Sequence, residues 1–474
     1  MSSRFPKVVL IGVDGASLDF IKKNIKRLPA FKTLIENGAS GNLLSNPPFV
    51  SPALWVEIAT GKKRDKTNIR GFFSKKTDRK EPFIWEILSL TSLKSGLIEY
   101  LMADDRDRNI QFFIPSWMES NIYAKPDFLI PYKQWTETHL VRRNLFKLMN
   151  FYSFIKKIKM KFQKNKDIWQ VLYYQLREEL KTNAFIKAIK KIPVDFAAVS
   201  FYAADAIQHS HLKYTDPEYF GIRPEPKLKE SIFDIYRAID RQIRKIMNII
   251  PKNTYIIIVS DHGQEKTSLD IFQRNMIKPA NFLKNIEYSG EGNTYALGNT
   301  IHIQTIPENR KDLESILRDA VIKDSDINIF NVFSSENELS FSLKNECERK
   351  IPDLINKQAV IGGKVINLKK LIKQVELSGI HSKEGTFIAT GPGIKYDFNI
   401  NEISILDIAP LMLYMYSMPL DKTFDGKLRT EIFTQEFLDK NPVSYVDRYD
   451  FDLTGSESGE DKHLEEKLKN LGYL

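Results

Sequence analysis

The chain has 474 residues, 42% of them hydrophobic and 27% charged, with a formal net charge of +10. Such a length allows one large domain with insertions or two to three domains, and the composition is that of a globular protein, not a disordered or fibrous one. The basic excess does not describe a nucleic-acid polymer binder, whose positive surface is broad, because residues 142–166 alone hold nine Lys or Arg and no acid.

In chain order, the first expected strand is Lys7–Val13, an unbroken apolar run of the kind covered on both faces of a sheet, ending at Asp14-Gly15. It follows Met1 too closely for the charged, apolar and cleavage regions of a signal peptide. The single cysteine, Cys347, permits no internal disulfide. Both features point to a reducing, cytoplasmic setting. A helix is expected over Leu18–Asn37, then a short strand at Gly41–Leu44. Asn46-Pro-Pro-Phe-Val-Ser51 follows, where two prolines hold the chain extended. Pro52 suits the first turn of a helix, Leu54, Trp55, Ile58 and Ala59 give it an apolar face, and Gly61 stops it. Ser51 is therefore expected to cap a short buried helix, with its hydroxyl at the positive end of the helix dipole. Taken alone, a capping serine is the sufficient explanation. A helix at Ile84–Leu88 and a strand at Ser95–Tyr100 complete the first core segment, residues 1–101.

Residues 102–190 show frequent aromatics, charges in blocks and no β-α alternation, and read as a mainly helical cap insertion. Within it Leu145, Leu148, Met149, Tyr152, Ile155, Ile158 and Phe162 share one helical face, with Lys156, Lys157, Lys159, Lys161 and Lys164 largely around it. Two readings fit: peripheral contact of residues 142–166 with an anionic membrane, or a cap helix packed on the core with a solvated lysine face. The core resumes over 191–284 with the strand Val194–Tyr202 leading to Asp205 and His209, a helix over Lys227–Ile249, and the strand Thr254–Ser260 ending at Asp261-His262-Gly263. Residues 285–376 read as a smaller α+β insertion, with a strand at Asn299–Thr305 and a helix at Asp312–Ile322. The third core segment, 377–436, carries His381, the strand Gly385–Gly391 and a helix at Ile405–Met415. Its apolar stretch Ile403–Leu420 is too short and too interrupted, by Asp407 and Pro410, to cross a bilayer. A polar tail occupies 437–474, and Ser456–Asp461 is expected to be flexible.

Three apolar strands thus end in Asp14, Asp205 and Asp261-His262. In open α/β sheets such ends gather at one edge, near the point where strand order reverses. Three carboxylates packed there would repel one another unless a divalent cation resolved the conflict. Histidines add nitrogen donors suited to zinc and its neighbours. Asp205 and His209, four apart, share one helical face, and of seven histidines only His209, His262 and His381 sit beside strand ends. Each alone has an ordinary structural explanation. Their joint placement does not.

These segments resemble the alkaline phosphatase superfamily, and within it the type I phosphodiesterase/nucleotide pyrophosphatase group. The resemblance lies in Ile11-Gly-Val-Asp14-Gly, Ser51-Pro-Ala-Leu-Trp-Val-Glu-Ile-Ala-Thr-Gly61, Asp205-Ala-Ile-Gln-His209, Val259-Ser-Asp261-His262-Gly263, His381-Ser-Lys-Glu-Gly385 and Ile405-Leu-Asp-Ile-Ala-Pro410, in the family's order. It implies a doubly wound, mostly parallel sheet flanked by helices, and a hydrolase of phosphodiester or pyrophosphate bonds. It further implies two divalent ions, zinc or manganese: one on Asp205, His209 and His381, the other on Asp14, Asp261, His262 and the Ser51 oxygen. Ser51 would be the nucleophile, forming a phospho-serine on a small phosphorylated substrate. The chain departs from the family in having serine for the usual threonine, and Leu54 where diesterase members have asparagine. Two alternatives stand beside this reading. One is a phosphomonoesterase or a phosphotransferase akin to the cofactor-independent phosphoglycerate mutases, with Lys62, Lys63 and Arg64 near enough to hold a second charged group. The other is a catalytically silent module binding membrane or glycan, for which a costly carboxylate cluster has no use.

Overall fold

The computed structural model describes residues 5–72, 74–106, 109–119, 121–138, 151–278, 281–290, 293–297, 300–305, 307–334, 339–351 and 353–451. The chain divides into two compact units, one of residues up to 215, 223–265 and from 381 onward, the other of 216–222 and 266–380.

The larger unit is built on an eight-stranded sheet. Its strands include β1 (Val8–Val13), β2 (Gly38–Leu44), β3 (Ser95–Ile98), β4 (Ile110–Ile114), β5 (Phe196–Phe201) and β6 (Tyr255–Val259). Two more, Glu384–Thr390 and Phe398–Ser404, come from the third core segment. From one edge to the other the order is Phe398–Ser404, β2, Glu384–Thr390, β6, β1, β5, β3, β4. Strand Glu384–Thr390 runs antiparallel to both neighbours, and every other pairing is parallel. The central strands β1, β5 and β6 are buried along their whole length, as their unbroken apolar sequences require.

The helices follow from apolar spacing and from proline. The expected helix over Leu18–Asn37 is in fact two, α1 (Leu18–Lys23) and α2 (Pro29–Glu36), joined by a 3-10 turn at Ile25–Arg27. Pro29 lacks the N–H that a continuous helix needs, so it opens the second piece. Next come α3 (Ser51–Thr60), α4 (Arg64–Thr67), α5 (Ile84–Ser89), α6 (Ile130–Thr138), α7 (Phe151–Phe162), α8 (Lys166–Lys191), α9 (Ala203–Thr215) and α10 (Ser231–Met247). α10 packs on α2, α8 and α9, while the helix Ile408–Met415 packs on α3 and α5. α10 buries Ile232, Ile235, Ile239, Ile243 and Ile246 along one face, each contributing about 1.5–3 kcal/mol of apolar burial.

Residues 102–190, expected as a mainly helical cap insertion, supply β4, which pairs in parallel with β3 at the edge. The other regular elements of that segment, where described, are helices. Its longest element, α8, is fastened to the sheet by buried charges. Arg177 Nη2 donates to Glu99 Oε2 at 2.9 Å, Lys181 Nζ lies 3.0 Å from the same oxygen, and Tyr132 donates to Glu99 Oε1 at 2.9 Å. Glu178 Oε1 accepts from the backbone N–H groups of Tyr202 and Ala203, each at 3.0 Å, which fixes the turn from β5 into α9. Burial alone would raise the Glu99 carboxyl, but the Arg177 and Lys181 cations hold it down at about 2.

The smaller unit reaches beyond the expected 285–376. It contains a four-stranded antiparallel sheet that includes Thr300–Gln304 and Leu339–Leu343. Its helix runs Pro307–Arg318, earlier than the expected Asp312–Ile322, because Val321–Ile322 pairs as a strand with Gln358–Ile361. The expected polar tail begins with structure: a helix at Gln435–Lys440, and Tyr445–Val446 paired with Leu420–Asp421. The expected flexible stretch Ser456–Asp461 and the basic residues 142–150 lie outside the described residues. Among the described residues no helix is long and apolar enough to cross a membrane.

Candidate metal centre

β1, β5 and β6 run in parallel, so their carboxyl ends share one edge. Asp14 directly follows β1, Asp261 stands two residues past β6, and Asp205 lies in the first turn of α9, after β5. Strand Glu384–Thr390 is reversed, which brings its start, and with it His381, to that same edge. β2 ends there too and delivers the loop to α3. One antiparallel strand thus puts His381 beside Phe49, 332 positions earlier in the chain.

The turns at this edge are locked together. Ala16 N–H donates to Ser260 Oγ at 2.8 Å, Ser260 Oγ donates to the His262 carbonyl at 2.6 Å, and Thr386 Oγ1 donates to the Ala16 carbonyl at 2.9 Å. Gly15 has φ +66°, and a Cβ there would come within 2.9 Å of the Asp205 backbone. Only glycine allows that approach without strain.

All seven residues singled out in the sequence meet here. His209 Nε2 lies 3.3 Å from Asp205 Oδ1 and 3.0 Å from His381 Nε2, and His381 Nε2 is also 3.3 Å from Asp205 Oδ1. His262 Nε2 lies 3.4 Å from Asp14 Oδ1, 3.4 Å from Asp261 Oδ2 and 3.1 Å from Ser51 Oγ. Asp205, His209 and His381 offer ligand atoms within 4.8 Å of one another, and so do Asp14, Asp205 and His262. Asp205 therefore reaches both groups, and Asp261 joins the second through His262.

Ser51 is the first residue of α3 and is fully buried. It is not the cap expected from the sequence. Val50, in extended conformation, holds that position with no side-chain bond, which leaves the Ser51 hydroxyl to point at His262. Both neighbouring imidazoles are oriented from behind. His381 Nδ1 is 2.8 Å from the Phe49 carbonyl and His262 Nδ1 is 3.0 Å from the Gly263 carbonyl. A carbonyl only accepts, so each Nδ1 carries a proton and each Nε2 is the nitrogen turned to the centre.

The electrostatics are those of a cation site. Burial, then the charges of Asp261 and Asp205, push the Asp14 carboxyl well above its usual range. Burial and Asp205 do the same to Asp261. Burial would raise Asp205 as well, but the adjacent His209 and His381 hold it well below. Burial and the stacked His381 ring, 3.6 Å between centroids, push His262 well below 6.5, so its imidazole is neutral. Asp14 Oδ1 and both oxygens of Asp261 are buried with no hydrogen-bond partner among the described residues. Orphaned carboxylate oxygens beside neutral imidazole nitrogens form a donor set that fits divalent metal.

Four residues contribute in roles that the sequence reading did not give them. Trp55 Nε1 donates to Asp14 Oδ2 at 3.0 Å; its position one helical turn after Ser51 was the available signal. Gln264 Nε2 donates to Asp205 Oδ1 at 2.5 Å. Arg64 and Glu57 form a clamp behind the loop. Arg64 Nη1 donates to the Pro48 carbonyl at 2.9 Å and Nη2 to the Asn46 carbonyl at 3.0 Å, while its Nε and Nη2 lie 3.3 and 3.2 Å from the two Glu57 oxygens. Lys62 is equally engaged, 3.6 Å from Asp421 and 3.8 Å from Glu81. Both cations thus bind acids or carbonyls of the chain itself.

Residues 8–382 match the family model described as type I phosphodiesterase / nucleotide pyrophosphatase. No curated protein matches the chain. Among solved structures, an inactive variant of murine ectonucleotide pyrophosphatase / phosphodiesterase 5, in complex with AMP, is 12% identical with a TM-score of 0.49. That alignment covers 90% of this chain and 100% of that one. The human counterpart is also 12% identical, with the same coverage of both chains and a TM-score of 0.48.

Proposed function

The chain belongs to the type I phosphodiesterase/nucleotide pyrophosphatase family, a family of phosphoric-ester hydrolases, and from that premise we propose that it cleaves a phosphodiester or pyrophosphate bond in a small nucleotide-like substrate, with Ser51 as nucleophile. The observation that carries the reading is the buried Ser51 hydroxyl, 3.1 Å from His262 Nε2 and set beside Asp14 and Asp261, two carboxylates with orphaned oxygens.

Asp205, His209 and His381 would hold one divalent cation, and Asp14, Asp261, His262 and Ser51 a second; when bound, zinc or manganese at these positions supplies Lewis-acid stabilisation to phosphoryl oxygens and favours an ionised hydroxyl. The protein's own part is orientation. His262 Nε2, with its proton held on Nδ1, has one lone pair, which accepts from the Ser51 hydroxyl in the metal-free chain. That lone pair would turn to the cation when one is held, leaving Ser51 Oγ at the centre beside it. Ser51 Oγ attacks phosphorus in line, the bond to the leaving oxygen breaks, and a phospho-serine is left for water to hydrolyse. The start of α3 places the positive end of a ten-residue helix beside the developing charge.

The test is a turnover comparison of bis-p-nitrophenyl phosphate with p-nitrophenyl phosphate, before and after chelation. We expect the diester to be the better substrate, with turnover lost to chelator and restored by zinc or manganese. A monoester preferred by more than about tenfold would move the assignment to a phosphomonoesterase, and turnover indifferent to chelation would remove the metals.

Arg64 gives a second, separable expectation. Its guanidinium spans Glu57 and the carbonyls of Asn46 and Pro48, which a lysine cannot do with one ammonium. Loosening this loop displaces Ser51 without touching substrate, so Arg64→Lys should lower kcat by about 10- to 100-fold with little change in KM. Steady-state kinetics beside thermal unfolding checks it: a rise in KM at constant kcat would mean that Arg64 binds substrate instead.

A further inference from the structure

The sequence leaves open whether the apolar face of α7 packs on the core or meets a membrane; of its described members Ile155 is half-buried, while Ile158 and Phe162 lie on the outer side. Ile158 is 44% exposed and Phe162 74%, and Phe154, one turn earlier, is 44% exposed. Residues four apart stand one above the other on a helix, so the three form a single apolar stripe along the outside. The inward side, against α8, instead receives a lysine: Lys156 Nζ pairs with Glu179 Oε2 at 3.0 Å and its side chain is only 18% exposed. Helix α7 thus spends burial on a cation and leaves two phenylalanines and an isoleucine facing outward. In a helix whose only role is to cover the core, the opposite arrangement would be the stable one.

The flanks of the stripe carry Lys157, Lys159 and Lys161, with Lys164 and Lys166 in the turn that follows, and the whole stretch 142–166 contains no acid. An apolar ridge bordered by lysines on both sides is complementary to one kind of surface, a layer with an apolar interior beneath anionic headgroups. A second copy of this face would meet it lysine against lysine, which repels. We propose that α7 is a peripheral membrane contact: Phe154, Ile158 and Phe162 enter the headgroup boundary of an anionic bilayer and the surrounding lysines pair with its phosphates. The proposal is independent of the phosphodiesterase reading, because no residue of the metal centre takes part.

The experiment is flotation of the full chain with phosphatidylserine/phosphatidylcholine vesicles and with phosphatidylcholine alone. Binding is expected only to the anionic vesicles, weakened by high salt and reduced at least about tenfold by Ile158→Ser with Phe162→Ser. These side chains face outward, so diester turnover in solution should be unchanged, and it serves as the control for folding. A second variant, Lys157→Gln with Lys161→Gln, should lower binding to anionic vesicles while leaving the stripe intact. Absence of flotation with anionic vesicles, or flotation indifferent to the serine pair, overturns the proposal. So does a concentration-dependent dimer abolished by the same pair, which would give the stripe to a second copy of the chain.

Discussion

Ser51→Ala is expected to lower turnover by on the order of 10⁴-fold or more, the loss seen when a covalent nucleophile is removed, while bound metal stays at about two ions per chain. The reasoning is geometric. Ser51 lies at the first turn of α3 with its hydroxyl on His262 Nε2, whereas the nitrogen and carboxylate donors come from other elements. Losing one oxygen removes the attacking atom and leaves Asp14, Asp261 and His262 where they are. His381→Ala makes the converse prediction. Its Nε2 stands 3.0 Å from His209 and 3.3 Å from Asp205, as the third member of that ligand group. One of the two ions should be lost and the other retained, by elemental analysis of the purified variant. Full activity in Ser51→Ala would end the nucleophile assignment, and unchanged stoichiometry in His381→Ala would end the pairing of ligands.

Glu99→Ala should cost about 3–5 kcal/mol of stability, the usual penalty for stripping one partner from a buried ion pair. Arg177 and Lys181 are 4% and 0% exposed and both face this carboxylate. Without it Lys181 keeps Glu178, 2.7 Å away, while Arg177 loses the carboxylate it donates to. The same group sets an acid limit on stability. Its carboxyl sits at about 2 in the folded chain against an ordinary 4.5, a difference on the order of 3 kcal/mol. A lowered folded value means that this contribution is complete above the ordinary carboxylate range and is lost as pH falls from there through about 2. Urea unfolding of the wild type and Glu99→Ala at neutral and at acid pH should therefore converge toward the acid end. A cost below about 1 kcal/mol at neutral pH would put Glu99 among weak surface-type pairs. Activity should fall as well, because Glu178 fixes the turn that leads to Asp205.

Much of this was legible in the sequence where local pattern and global placement agree. Fully apolar strands ending in Asp14 and Asp261-His262 announce both a covered sheet and the edge where those acids meet. The break at Pro29 was also written in the chain, as a proline that suits only a first helical turn. Other features depend on partners far away. The sequence suggested Ser51 as cap, yet the extended backbone of Val50 suffices there, and the hydroxyl is claimed by a residue 211 positions on. β4 was hidden because an edge strand of five residues after a polar loop has no periodicity of its own. The facing of α7 was not readable either: a helical wheel gathers apolar residues on one side without saying whether that side looks in or out. Glu179, on the next helix, decides it by drawing Lys156 inward.

The reversed strand Glu384–Thr390 also sets a sequence in time. A chain emerging from the ribosome carries Asp14, Ser51, Asp205, His209, Asp261 and His262 long before His381 is made. β6 waits for its outer neighbour over the same interval, since Phe387–Thr390 pairs with Ile256–Val259. Such distant pairings form late. A chain released before that point would hold most of the ligands and none of the closure, so the centre is completed only once His381 has been made.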